Sequence, residues 1–134
     1  MADVVVVGAG NAAFAAAIAA RQAGASVLVL ERAPKSEAGG NTRFTAGAMR
    51  CAYDGVDDLK ALIPDLTPEE IARIDFGAYP QGQFFEDMGR VTEYRTDPEL
   101  CERLVTQSHP TMLWMAEQGV RFQPIWGRQA FQVD

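Results

Sequence analysis

The stretch Asp3-Val4-Val5-Val6-Val7-Gly8-Ala9-Gly10-Asn11-Ala12-Ala13 decides the fold. Four consecutive valines without polar alternation read as a strand buried on both faces, as in a parallel sheet. Gly8-Ala9-Gly10 follows at once and reads as a tight turn. Asn11 to Ala23 is rich in alanine, with Phe14 and Ile18 four apart on one face. It reads as a helix closed by Gly24. Ser26-Val27-Leu28-Val29-Leu30 is a second buried strand. Strand, turn, helix and strand in roughly 30 residues make a βαβ unit with parallel strands.

Gly8-Ala9-Gly10-Asn11-Ala12-Ala13 stands where a dinucleotide fingerprint stands. Gly8 allows the sharp exit from the strand. Gly10, lacking Cβ, lets a pyrophosphate approach the backbone. Ala13 fills the third position and still permits close helix–strand packing. The free N–H groups at the helix start, from Asn11 and Ala12 onward, are donors for phosphate. Glu31 ends the second strand, where a carboxylate accepts hydrogen bonds from both ribose hydroxyls of an adenosine and repels a 2′-phosphate.

Outward from this unit, residues 33–55 are rich in Gly, Ala, Thr and Asn and show no sustained period. They form a long loop, with one helical turn expected near Ala46–Arg50. Beyond it the chain reads as helical. Asp57–Ile63 is a short helix stopped by Pro64. Thr67-Pro68-Glu69-Glu70 is a helix start with Thr at the N-cap and Glu three positions on. Ile71, Ile74 and Ala78 give that helix an apolar face until Pro80, after which Phe84, Phe85 and Met88 resume it. Asp97-Pro98 starts another helix, with Leu100 and Leu104 facing inward and an interruption at Ser108-His109-Pro110. Gly119 closes it, and Val120–Gln123 reads as a short strand.

The chain has 134 residues, with 12 basic and 18 acidic groups and a formal net charge of −6. Such an acidic balance excludes a nucleic-acid backbone as partner. No apolar run is long enough to span a bilayer, and no basic segment precedes one. Cys51 and Cys101 have neither metal nor disulfide spacing, which points to a reducing, cytoplasmic setting and to no metal site. They read as packing cysteines. His109, the sole histidine, reads as a residue at a helix break. Arg121 and Arg128 read as solvated, and Phe84, Phe85, Trp114 and Trp126 as core.

Glu31-Arg32 and the loop Gly39-Gly40-Asn41-Thr42-Arg43-Phe44-Thr45-Ala46-Gly47-Ala48-Met49 resemble the flavoprotein subunits of the fumarate reductase and succinate dehydrogenase family. In that family a Gly-Gly-Asn stretch and then a small-residue stretch run beside the flavin. A flat ring needs backbone packed closely along it, which Gly40, Ala46 and Gly47 permit. Asn41, Thr42 and Thr45 offer short hydrogen-bonding groups. The resemblance implies FAD as cofactor. It places Asn41 where membrane-bound succinate dehydrogenases carry a flavin-linked histidine, which implies noncovalent FAD.

Within the family, the glycine turn, the loop ending at Met49-Arg50 and Ser108–Met115 resemble the FAD-dependent tricarballylate dehydrogenases. A precorrin-3B synthase-type flavoprotein of cobalamin synthesis is similar over the same stretches. A non-catalytic nucleotide-binding module is the alternative from another class. The resemblance implies an α/β, Rossmann-like FAD-binding domain of which this chain is the N-terminal part. Residues 1–55 would be the βαβ unit and flavin loop. Residues 56–134 would be a mostly helical continuation leading toward a substrate-capping domain. It further implies oxidation of a small polycarboxylate by hydride transfer to flavin, a membrane-associated iron–sulfur electron partner, and catalytic residues later than residue 134.

Overall fold

A computed structural model describes residues 1–125 and the backbone of 131–132. The chain divides into two compact units, Met1–Met49 and Arg50–Asp134.

In the first unit, β1 (Val4–Val7) and β2 (Val27–Leu30) pair in parallel, Val4 opposite Val27 through Val7 opposite Leu30. The helix α1 (Asn11–Gln22) connects them. The α/β class and the βαβ unit expected from the sequence are therefore present. The C-terminal end of α1 follows local chemistry. Gly24 takes φ +89° just past its end. The Gly24 N–H donates to Arg21 O and the Ala25 N–H to Ala20 O, the paired bonds of a Schellman motif.

Two expectations are corrected in this unit. The strands are covered on one face only: Val5 and Val7 are exposed, as are their neighbours Leu28 and Leu30. Two strands and one helix supply a single covering layer. On α1, Phe14 is 51% exposed and Ile18, four residues on, is half-buried. Ala13, Ala15 and Ala20 are half-buried too, and Ala17 is buried. Their small side chains allow the helix axis close to the sheet.

After β2, a short 3-10 helix spans Gly40–Phe44, and Thr45–Gly47 form turns. The helical turn expected near Ala46–Arg50 is absent. Ala46 at φ 52° and Gly47 at φ 75° stand in the left-handed region and end helical geometry there.

The second unit is mostly helical: α2 (Val56–Leu62), α3 (Pro68–Arg73), α4 (Gln81–Val91) and α5 (Pro98–Glu117). Thr67 and Glu70 form the expected capping box on α3, each side chain bonded to the other residue's backbone N–H. α3 stops at Arg73. The next residues, Ile74–Asp75 (β3), pair antiparallel with Phe131–Gln132 (β4), so the expected helix through Ala78 is corrected. Tyr53 and Tyr79 form a two-bond bridge at 2.8 and 2.9 Å, which holds residue 79 extended ahead of Pro80, the N-cap of α4.

α5 runs unbroken through Pro110, against the expected interruption at Ser108–Pro110. Pro110 removes one helical donor. A tertiary bond and a local one hold this stretch: Ser108 Oγ accepts from Ala52 N–H at 2.9 Å and donates within the helix to Val105 O at 2.8 Å. His109 Nε2 lies 3.1 Å from Asp58 O, so His109 belongs to the α5–α2 packing and not to a helix break. The inner stripe of α5 is Cys101, Val105 and Ser108, with Met112 packed against the core. Leu100 and Leu104, expected inward, are 68% and 50% exposed. The stripe lies one residue later because small Cys, Val and Ser side chains let α5 approach residues 51–53. Beyond α5, the Gly119 N–H donates to Ala116 O and the Val120 N–H to Met115 O, a second Schellman motif. Val120–Gln123 is not a strand.

The core of this unit joins Cys51, Ala52, Tyr53, Leu62, Tyr79, Phe84, Cys101 and Val105. Both cysteines are free and buried, as packing residues should be. Phe84 is buried and Phe85 is not. Arg121 pairs with Asp65. Trp126 and Arg128 lie outside the described residues.

Candidate cofactor site

The site builds from the end of β1. Gly8 N–H donates to Leu30 O at 2.7 Å, tying the strand end to its neighbour. Gly8 then takes φ +112°, a conformation that a Cβ disfavours, and this turns the chain out of the sheet toward α1. Gly10 is the N-cap of α1 and brings no side-chain cap. A Cβ on Gly10 would lie 3.2 Å from both Gly39 O and Thr42 Oγ1, so the position has room only for glycine without local displacement. Ala13 stands under the turn, its Cβ 4.0 Å from where a Gly8 Cβ would be.

Asn11, Ala12 and Ala13 open the helix, and their N–H groups have no partner within it. Thr42 Oγ1 accepts from Asn11 N–H at 3.1 Å. The first helical bond is from Phe14 N–H to Gly10 O at 3.1 Å. Ala12 and Ala13 thus present open donors. No acidic side chain stands in the first turn of α1 to oppose an anion. A 12-residue helix behind these donors adds its dipole.

Glu31 follows β2 and turns back to the glycine turn. Its Oε2 accepts from Ala9 N–H at 2.9 Å and its Oε1 from Ala33 N–H at 2.8 Å. These donors, Ala33 first and Ala9 after it, hold the carboxyl below its ordinary range. Glu31 is ionised at neutral pH and remains exposed.

The structure therefore brings Gly8, Gly10, Asn11, Ala12, Ala13, Glu31 and Thr42 into one locus. The rest of the loop is placed differently. Thr45 Oγ1 donates to Thr42 O at 2.9 Å, supporting Thr42 from behind. Arg32, Gly40, Asn41, Ala46 and Gly47 are exposed. Ala46 holds a left-handed backbone at φ 52°, a strained conformation for a residue with a Cβ. Sequence reasoning passed over Gly39, whose carbonyl faces Gly10 and whose φ is +109°. Its signal was the Gly39-Gly40 doublet, since paired glycines mark backbone that must come close to other backbone.

Among the described residues there is no cluster of three or more His, Cys, Asp or Glu arranged to hold a metal ion. No helix there is long and apolar enough to cross a membrane.

A parallel βαβ unit with a glycine turn, open helix-start donors and an acidic residue after the second strand defines a nucleotide-binding protein of the Rossmann class. The family model of FAD dependent oxidoreductases matches residues 3–124, and the chain belongs to that family. FAD is its cofactor. The chain is 52% identical over 138 aligned positions, 98% of its length, to a probable fumarate reductase of Shewanella frigidimarina (strain NCIMB 400). It is 35% identical over 117 residues, 87% of its length, to a fumarate reductase (cytochrome) of Shewanella frigidimarina. It is 32% identical over 129 residues, 91% of its length, to a urocanate reductase of Eggerthella lenta. It spans 20%, 18% and 18% of these relatives, about a fifth of their length.

Proposed function

We propose that this chain is the FAD-holding part of a flavoenzyme that moves hydride between flavin and a small polycarboxylate. The observation that carries the cofactor assignment is the pair of open N–H donors, Ala12 and Ala13, set behind a glycine that leaves the approach clear. These donors take the diphosphate. Glu31 takes the adenosine ribose hydroxyls, and the loop from Gly40 to Gly47 lies along the flavin. Asn41 provides no nucleophile for a flavin linkage, so FAD is held without a covalent bond. Residues 1–55 form the cofactor part and 56–134 the helical continuation toward a substrate-capping domain. No catalytic residue is assigned here.

Bound FAD supplies a hydride acceptor or donor at flavin N5. Tricarballylate oxidation to cis-aconitate and fumarate reduction are one chemistry in two directions, at a carbon–carbon bond flanked by carboxylates. The subfamily resemblance favours tricarballylate oxidation, with electrons leaving to an iron–sulfur partner at the membrane. The reductase names of the relatives favour the reverse direction on an unsaturated acid. Two free cysteines are the support for a cytoplasmic setting.

The deciding experiment uses the full-length protein loaded with FAD. Turnover of tricarballylate with an artificial electron acceptor is the expected result. Turnover of fumarate with a reduced dye, and none of tricarballylate, would reverse the assigned direction. A full-length protein that stays colourless after FAD is added would remove the cofactor assignment itself.

A further inference from the structure

The two peptide N–H groups on either side of Gly10 are both engaged by side chains from distant sequence. Ala9 N–H donates to Glu31, 22 positions away, and Asn11 N–H donates to Thr42, 31 positions away. We propose that Glu31 and Thr42 form a two-point brace that presets the glycine turn before any ligand arrives. Glu31 is then a positioning residue as well as a ribose acceptor.

The chemistry of the carboxylate allows both roles at once. An ionised carboxylate offers about four lone-pair sites. Ala9 and Ala33 N–H groups use two of them. The Arg32 and Gly39 N–H groups also face the carboxylate, so the ribose hydroxyls share the other sites with them. Through Ala33 the same carboxylate also fixes the start of the loop that carries Thr42. The glycine turn, the end of β2 and the loop are thereby tied through one side chain. Glycine is the residue with the most backbone freedom to lose. Holding the Gly8–Ala9 and Gly10–Asn11 peptides, which bracket Ala9-Gly10, in advance removes part of that entropy cost from the binding step. The brace also divides the donors: Ala9 and Asn11 are spent within the protein, and Ala12 and Ala13 are left for an anion. The consequence for cofactor affinity rests on the FAD site proposed above, whereas the brace itself does not.

The test uses the full-length protein with FAD removed. Hydrogen exchange is followed in peptides covering residues 4–14, in wild type, Glu31→Ala, Glu31→Gln and Thr42→Val. Protection is expected to fall about tenfold in Glu31→Ala, since a charge-assisted backbone bond is lost. The loss in Glu31→Gln should be smaller: its amide oxygen accepts from one N–H while its NH₂ group opposes the other. Thr42→Val should deprotect the same peptide. Unchanged protection in both Glu31→Gln and Thr42→Val overturns the brace even if Glu31→Ala does not fold. FAD titration of the same variants separates the two roles. Weaker FAD binding with unchanged protection means that Glu31 acts through the ribose alone, which overturns the proposal. Lower protection with unchanged FAD affinity upholds the brace and removes the ribose contact instead.

Discussion

The two units hold themselves together by different means. Met1–Met49 buries Ala17 alone among its residues. Its ties are polar and mostly directed at backbone N–H groups: Asp3 to Ser26, Glu31 to Ala9 and Ala33, Thr42 to Asn11. Arg50–Asp134 has an apolar core in which Val105 is fully buried. One unit is thus specified by turns, caps and carboxylate–backbone bonds, and the other by the interlocking of side chains. Backbone-directed bonds fix where N–H groups point, which is what binding an anion requires. Side-chain packing fixes where helices lie, which is what a scaffold requires.

The largest expected effect tests the first of these. Gly10→Val in the full-length protein should abolish FAD binding, because even its Cβ would crowd Gly39 O and Thr42 Oγ1 at 3.2 Å. Flavin absorbance after gel filtration is the measurement, and retained yellow protein would show that the turn is not the diphosphate site.

Stability effects sharpen the contrast. Val105→Ala should cost about 2 kcal/mol, from lost burial and the cavity left behind. Val5→Thr, on the exposed sheet face, should change stability by less than about 0.5 kcal/mol in the 134-residue chain. Denaturant midpoints compare the two directly. Equal losses would mean that packing, and not polar ties, holds both units. In the full-length protein a larger cost for Val5→Thr would mean that another segment covers that face.

The smallest effect is a dependence on pH. The Asp3 carboxylate accepts from Ser26 Oγ at 2.5 Å and from Ser26 N–H at 2.9 Å. These bonds, the hydroxyl's first, hold its carboxyl below its ordinary range. A carboxyl lowered in the folded state contributes stability above its unfolded value, and that contribution is lost as pH falls through the folded value. Wild type and Ser26→Ala should therefore differ near neutral pH and converge in acid. A gap that persists in acid would assign the effect to the Ser26 hydroxyl itself and not to the Asp3 charge.

Much of the first unit was legible in the sequence because its signals are local. A β-branched run, glycines at a sharp turn, an alanine-rich helix and a Schellman glycine each act within a few residues. Gly8, Gly10, Ala13 and Glu31 could be chosen from spacing alone. The destination of Glu31 in the ligand-free chain could not, because its bond to Ala9 N–H closes a loop of 22 residues. Nor did composition distinguish Thr42, which reaches the helix start, from Thr45, which only supports it.

The helical unit shows the opposite balance. The capping box at Thr67 and the start of α5 at Asp97 were legible, since a cap is a contact three residues long. Pro110 was a misleading signal, because the bonds of Ser108 and His109 hold α5 through it. Likewise the apolar Leu100 and Leu104 drew the helix face to the wrong side, and the small residues Cys101, Val105 and Ser108 face the core.

What the sequence by itself determined was the class of unit and its glycine turn, since glycine conformation, capping and β-branching are set by atoms within one turn of chain. The tertiary structure alone decided which face of each helix is buried, how α5 survives its proline, and which side chains close on the glycine turn. Those outcomes depend on groups brought together from 22 to 56 residues apart, and no local pattern encodes a partner at that distance.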